Sequence, residues 1–135
     1  GKPSPLDEEI KSAVTAGKAG ELIQLPPVKN LAKGTSKGMF RADDGHSMVS
    51  LVTMIAPSPD WFAGAEVDLK EDGKWVEKKT VNLMAWDSGG DDGATYKASD
   101  MDNNPKKPTM MSQSPHFVVD GKSKPVATLT FVKKK

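Results

Sequence analysis

Met48-Val49-Ser50-Leu51-Val52-Thr53-Met54-Ile55-Ala56-Pro57-Ser58-Pro59-Asp60-Trp61-Phe62 is the stretch on which the fold of this chain turns. Its first part is an apolar, β-branched run and predicts a buried strand over 46–55. Pro57 and Pro59 then remove two ladder donors and end the pairing. An acid and two large aromatic rings follow on the stiffened loop. A rigid loop carrying Asp60, Trp61 and Phe62 either anchors a corner of the core or builds a site.

Downstream, Glu66-Val67-Asp68-Leu69 alternates polar and apolar, and Asp72-Gly73 marks a turn. Trp75-Val76 and 80–86 read as further strands, and Asp87-Ser88-Gly89-Gly90-Asp91-Asp92-Gly93 as an acidic glycine loop. Residues 99–115 are polar and proline-punctuated, and 126–132 is a terminal strand. Upstream, Asp43-Asp44-Gly45 is a turn, 38–42 a short strand and 28–38 a loop. Pro26-Pro27 stops a short helical piece at 21–24. A first helix opens at Ser4-Pro5-Leu6-Asp7-Glu8-Glu9, with acids where the helix dipole favours them. Ile10, Ala13 and Val14 form its apolar stripe, and Gly17 and Gly20 close it. There is no internal repeat. These pieces predict an all-β, antiparallel β-sandwich with a short N-terminal helix. It is expected as one domain over 1–135, with leader and helix in 1–27 and the sandwich in 38–132.

Composition removes several function classes. The chain has 135 residues, enough for a core without metal or disulfide staples. It contains no cysteine, which excludes disulfides, zinc–thiolate sites and thiol nucleophiles. Lys and Arg number 19 against 18 Asp and Glu, a formal charge of +1, so no nucleic-acid partner is expected. Lys133-Lys134-Lys135 reads as a solvated tail. No apolar run approaches the roughly 18–20 residues that span a bilayer. No Gly-x-Ser-x-Gly elbow and no phosphate-cradling glycine loop occurs, so no enzyme is expected.

The carboxylates of Asp60 and of Asp87, Asp91 and Asp92 follow strands at two loops. Calcium takes six to eight oxygens in a forgiving geometry, and two such loops at one end of a sandwich can supply them. Solvated turns are the plainer reading of the same residues. Trp61 and Phe62 either meet a partner at a loop tip or pack beneath their own loop. Trp75 and Trp86 read as sheet residues, His46 and His116 as hydrogen-bonding residues, and Met110-Met111 as a buried edge.

His46-Ser47-Met48-Val49-Ser50-Leu51, running into Ile55-Ala56-Pro57-Ser58-Pro59-Asp60-Trp61-Phe62-Ala63-Gly64, resembles the spondin N-terminal domain. The resemblance continues through Asp72-Gly73-Lys74-Trp75 and through Val81-Asn82-Leu83-Met84-Ala85-Trp86-Asp87-Ser88-Gly89-Gly90-Asp91-Asp92-Gly93. It implies an eight-stranded antiparallel β-sandwich with the topology of calcium-dependent membrane-binding modules. It also implies a secreted protein of the extracellular matrix that takes part in adhesion. One calcium would be held by the Asp60 and Asp87 carboxylates, the Ala56 carbonyl and an acid on the preceding strand. That acid is expected near position 41, which is Arg41. A guanidinium there can replace the cation, since it pairs bidentately with carboxylates. Asp43, Asp44 or Asp91 can instead complete the set. Ala85 stands where the family has proline.

Two functions follow. The first is a secreted, non-enzymatic module that recognises an extracellular protein or cell-surface receptor, its loop end organised by calcium or Arg41. The alternative is a carrier for a small hydrophobic ligand, a lipid, pigment or hormone, held by Trp61, Phe62, Trp86 and the methionines.

Overall fold

A computed structural model describes residues 5–30, 33–58 and 60–135. Ser4, where the helix was expected to open, and Pro59 lie outside the described residues. The chain forms two compact units, divided between Ser47 and Met48.

In the first unit, helix α1 spans Pro5–Thr15 with Asp7 and Glu8 in its first turn. Pro5 suits the first helical position, where no intrahelical donor is needed. The helix closes as Lys18 N–H returns to the Ala13 carbonyl at 2.8 Å. No helix follows at 21–24 and no strand forms at 38–42. Both segments are short and flanked by prolines or glycines, so neither has enough neighbouring ladder to offset its ordering entropy.

The second unit carries all the strands among the described residues. They are β1 (Met48–Met54), β2 (Trp61–Asp68), β3 (Lys70–Glu71), β4 (Lys74–Trp75), β5 (Lys78–Asp87), β6 (Met110–Met111), β7 (Val118–Val119), β8 (Lys122–Ser123) and β9 (Ala127–Val132). Five of them form one antiparallel sheet in the order β1-β2-β5-β6, with β9 also on β5. The remaining pairs, β3-β4 and β7-β8, are hairpins. Both hairpins turn on Asp-Gly with two left-handed residues, Asp72 and Gly73 (φ 50° and 75°) and Asp120 and Gly121 (φ 51° and 72°). That is the mirror-image turn whose twist matches paired strands.

β5 is the spine. Its last residues pair with β2, so that Gly64 faces Met84 and Trp61 faces Asp87. Its other edge takes β9 and β6 in succession. Leu83 O accepts Val126 N–H at 2.8 Å, and two residues on, Ala85 O accepts Ser112 N–H at 3.0 Å. Carbonyls two apart on a strand point the same way.

Trp61 and Phe62 therefore lie on β2, not on the loop where the sequence placed them. Strand alternation sends them to opposite faces. The odd-numbered face is the core, with Trp61 and Ala63 at 2% exposure, Ala85 at 3% and Leu83 at 4%. It is covered by aromatic-bearing loop rather than by a second long-stranded layer. Trp61 meets Phe117 at 5.1 Å and Tyr96 at 5.3 Å between centroids, both edge-on. His116 stacks against Tyr96 at 4.6 Å. Edge-to-face packing of this kind adds to the apolar burial of each ring.

Candidate functional site

The site begins with the turn between β1 and β2. Ala56 joins Pro57 through a cis peptide bond. Ser58, buried at 1% exposure, accepts the Trp61 N–H on its hydroxyl at 3.1 Å. This holds Asp60 at the mouth of β2, one residue from the cross-strand partner of Asp87.

The glycine loop after β5 wraps the Asp60 carboxylate. Asp60 Oδ2 accepts N–H from Gly90 at 3.0 Å and from Asp91 at 2.9 Å, while Ser88 N–H donates to the Asp60 carbonyl at 3.1 Å. Asp87 turns its own loop by accepting Gly89 N–H at 2.8 Å. Asp60 Oδ1 is fully buried and has no hydrogen-bond partner among the described residues. Burial, reinforced by the neighbouring Asp87, holds the Asp60 carboxyl above its ordinary value despite the two N–H donors. While both groups are ionised, neither can donate to the other. A proton or a cation shared between them would relieve that opposition.

Asp91 plays a different part. It is 3% exposed, and both oxygens are satisfied at 2.6 Å, Oδ1 by Gly93 N–H and Oδ2 by Met101 N–H. It pins the segment after the glycine loop. Asn103 N–H reaches the Gly90 carbonyl and Lys107 N–H the Gly89 carbonyl, each at 2.8 Å. Outside this ladder, Lys107 Nζ clamps both oxygens of Asp92 at 2.7 and 2.6 Å, and Asn103 donates to Oδ1 at 2.8 Å. Lys107 and Asn103 together hold Asp92 below the ordinary carboxylate range.

Asp60, Ser88, Gly90, Asp91, Asp102 and Lys106 line a cleft of about 230 Å³. Asp102 and Lys106 were not expected from sequence. The backbone bridge between Asp91 and Asp102, with the Asn103 and Lys107 N–H bonds on either side of it, brings that segment back to the loop.

Of the expected site residues, the second unit thus joins Asp60, Asp87 and Asp91 at one end of the sheet, with Ala56 on the exposed turn leading to it. Arg41, Asp43 and Asp44 belong to the first unit and are exposed. Asp43 closes its own turn, accepting Gly45 N–H at 2.9 Å and pairing with His46 Nδ1 at 3.0 Å. The His46 contact lowers the Asp43 carboxyl. Trp61 is core. Phe62 and Trp86 are half-buried cross-strand partners on the other face, and Trp86 in turn faces Met111.

Gly89 shows how tightly the loop is held. Its φ is +78°, and a Cβ there would meet the Lys107 carbonyl. Gly89→Ala is expected to lose about 1–3 kcal/mol from the left-handed strain alone, and more from the clash. Gly121→Ala is the control, with φ +72° and open space around the Cβ. Thermal melts of both variants check this, and equal losses would mean the loop yields freely around Lys107.

The Spondin_N family matches residues 1–122. The chain belongs to that family. Spondin-2 of Rattus norvegicus is 28% identical over 143 residues, covering 98% of this chain and 43% of that protein. Spondin-1 of Gallus gallus is 34% identical over 117 residues, covering 82% of this chain and 14% of that protein. Spondin-2 of Homo sapiens is 31% identical over 99 residues, covering 73% of this chain and 30% of that protein. The chain thus spans less than half the length of each of these spondins. The spondin family is one of secreted extracellular-matrix proteins, not enzymes. No helix among the described residues is long and apolar enough to cross a membrane.

Proposed function

We propose that this spondin domain is a recognition module for an extracellular protein or cell-surface receptor, with its loop end made rigid by one calcium ion. The observation that carries the reading is the buried, unpartnered Asp60 Oδ1 beside Asp87. Two carboxylates forced together in a partly desolvated corner are stabilised by a cation and opposed without one. Asp60, Asp87 and the Ala56 carbonyl are the ligands the second unit offers, and water completes the six to eight oxygens calcium takes. Among the described residues no three acidic or histidine side chains converge so as to hold a metal ion by themselves, so the carbonyl and water would carry a large share of the coordination. When bound, calcium supplies charge neutralisation and cross-links the two loops. In the same reading the five-stranded sheet is one layer of the family's eight-stranded sandwich.

The recognition surface lies next to that end. Met54, Phe62, Trp86 and Met111 form one cross-strand row on the face opposite the core. Large aromatics in such a row suit a protein partner, because they present rigid apolar area at low entropic cost. Adhesion of cells to surfaces coated with the chain tests the proposal. Truncating an aromatic anchor costs about 2 kcal/mol of binding, roughly 30-fold. Trp86→Ala is therefore expected to weaken adhesion by about that factor, and chelator to weaken the wild type. Adhesion indifferent to both, with the variant still folded, would remove the proposal.

A further inference from the structure

Asp91 bonds through its backbone and its side chain at once. Its N–H donates to Asp60 Oδ2 at 2.9 Å, beside the Gly90 N–H at 3.0 Å on the same oxygen. Its carboxylate meanwhile accepts Gly93 N–H on Oδ1 and Met101 N–H on Oδ2, each at 2.6 Å. At 3% exposure, with both oxygens taken, that carboxylate is closed to a cation. The neighbouring backbone is held as well. Asn103 N–H reaches the Gly90 carbonyl at 2.8 Å, and Asp92 N–H the Met101 carbonyl at 3.1 Å. All of these groups lie in the second unit.

Two successive backbone N–H groups meet on one oxygen only where the chain is sharply turned, since in an extended chain they point opposite ways. The turn is entered at Gly89, with φ +78°. Asp91 is what keeps it closed, because its carboxylate ties Gly93 and Met101 to the residue that donates to Asp60. Burying a charge is costly unless its hydrogen bonds are strong, and bonds to a carboxylate are shorter and about twice as strong as neutral ones. The buried charge therefore stiffens the loop. With Asp60 Oδ2 held by two N–H groups, the oxygen left over is Oδ1, which is buried and has no partner among the described residues.

We infer that Asp91 is the positioning residue of this corner. It does not ligate the cation; its clamp on Gly93 and Met101 aims the N–H that fixes Asp60 Oδ2 and so presents Oδ1 to the cation. The inference rests on the calcium reading for what the corner holds, and on the loop geometry alone for what Asp91 does. Groups that hydrogen-bond a metal ligand orient it, and losing one lowers metal affinity by roughly 10–100-fold.

Two variants of the full chain test this. Asp91→Asn keeps the size of the side chain but turns an NH2 group against a backbone donor, so one of the two bonds is lost. Gly93→Ala changes no charge. A Cβ there would lie 2.8 Å from Asp91 Oδ1 and 2.9 Å from the Ala98 Cβ, which pushes the carboxylate off its donors. Each variant is expected to bind calcium roughly tenfold more weakly or worse, with an unchanged circular dichroism spectrum. Either one suffices should the other misfold. Europium, an ion close to calcium in size, counts open coordination positions through its bound waters, read from emission lifetimes in light and heavy water. At saturating europium that count should be the same in wild type and variants. In chelator, the Gly90 and Asp91 amides should exchange faster in the variants than in wild type. Three outcomes overturn the inference. The first is wild-type calcium affinity with a lowered melting temperature, the mark of a merely structural role. The second is an extra bound water in a variant, the mark of a lost ligand. The third is Gly90 and Asp91 amides that exchange alike in all three proteins. A wild type that takes up neither ion defeats the calcium reading instead, and the amides alone then decide the role of Asp91.

Discussion

Trp61→Ala is expected to lower stability by about 3–5 kcal/mol, the range for emptying a large aromatic site in a core. At this chain length that corresponds to roughly 10–20 °C in melting temperature. The reason is position rather than size alone. Trp61 is 2% exposed and serves as the common neighbour of Phe117, Tyr96 and His116. The four rings all contact one another, and Trp61 is the largest of them. Truncation leaves a cavity walled by rings that cannot all collapse into it. Phe62→Ala, one residue along the same strand, should cost clearly less, because Phe62 faces the other way and is half-buried. The comparison is what tests the fold, since it separates the two faces of β2. Equal losses at Trp61 and Phe62 in denaturant or thermal melts would mean that the strand does not alternate as described. Trp61→Phe should recover part of the loss by restoring ring contact with Phe117.

Much of the second unit was legible in sequence, and the limits have physical causes. The apolar run at 48–54, the long strand ending at Asp87 and the terminal strand each carry a strong period or composition signal, and each forms close to its expected place. Asp72-Gly73 announced its hairpin through the left-handed conformations such turns require. Asp120-Gly121 carries the same signal, but the strands flanking it are only two residues each and leave no alternation in the sequence to mark a hairpin. The proline pair misled in one respect. It stops β1 as expected, but β2 restarts at Trp61, immediately after Asp60, so the aromatic pair is split between core and outer face. Position along a strand, not residue type, decided that Trp61 packs and Phe62 does not. At the site, Asp60 and Asp87 were visible as acids following strands. Asp102 and Lys106 were not, since the backbone ladder from 101 to 107 back onto the glycine loop has no local sequence pattern.

Calcium should raise the melting temperature of the wild type and leave Asp60→Asn unmoved. A ligand bound only by the folded state at a hundredfold excess over its dissociation constant adds about 2.7 kcal/mol. For a chain of this length that is roughly 8–15 °C. The variant carries a second expectation, of opposite sign. In chelator, Asp60→Asn should melt no lower than the wild type, because it removes one of two carboxylates that oppose each other while keeping an oxygen for the Gly90 and Asp91 N–H groups. The order of the two proteins therefore reverses between calcium and chelator, which a purely structural role for Asp60 would not produce. The pH dependence follows from the same corner. Burial and Asp87 raise the Asp60 carboxyl in the fold, so between the ordinary carboxylate value and the raised one the folded chain holds a proton that the unfolded chain has released. Stability in chelator accordingly increases as pH falls through that window and is lost as pH climbs past it. Calcium takes the place of that proton, so the wild type in calcium should not show this gain on acidification. Identical melts in calcium and chelator, with the acid-side gain still present, would establish a proton-shared carboxylate pair and remove calcium from the account of how this end of the sheet is held.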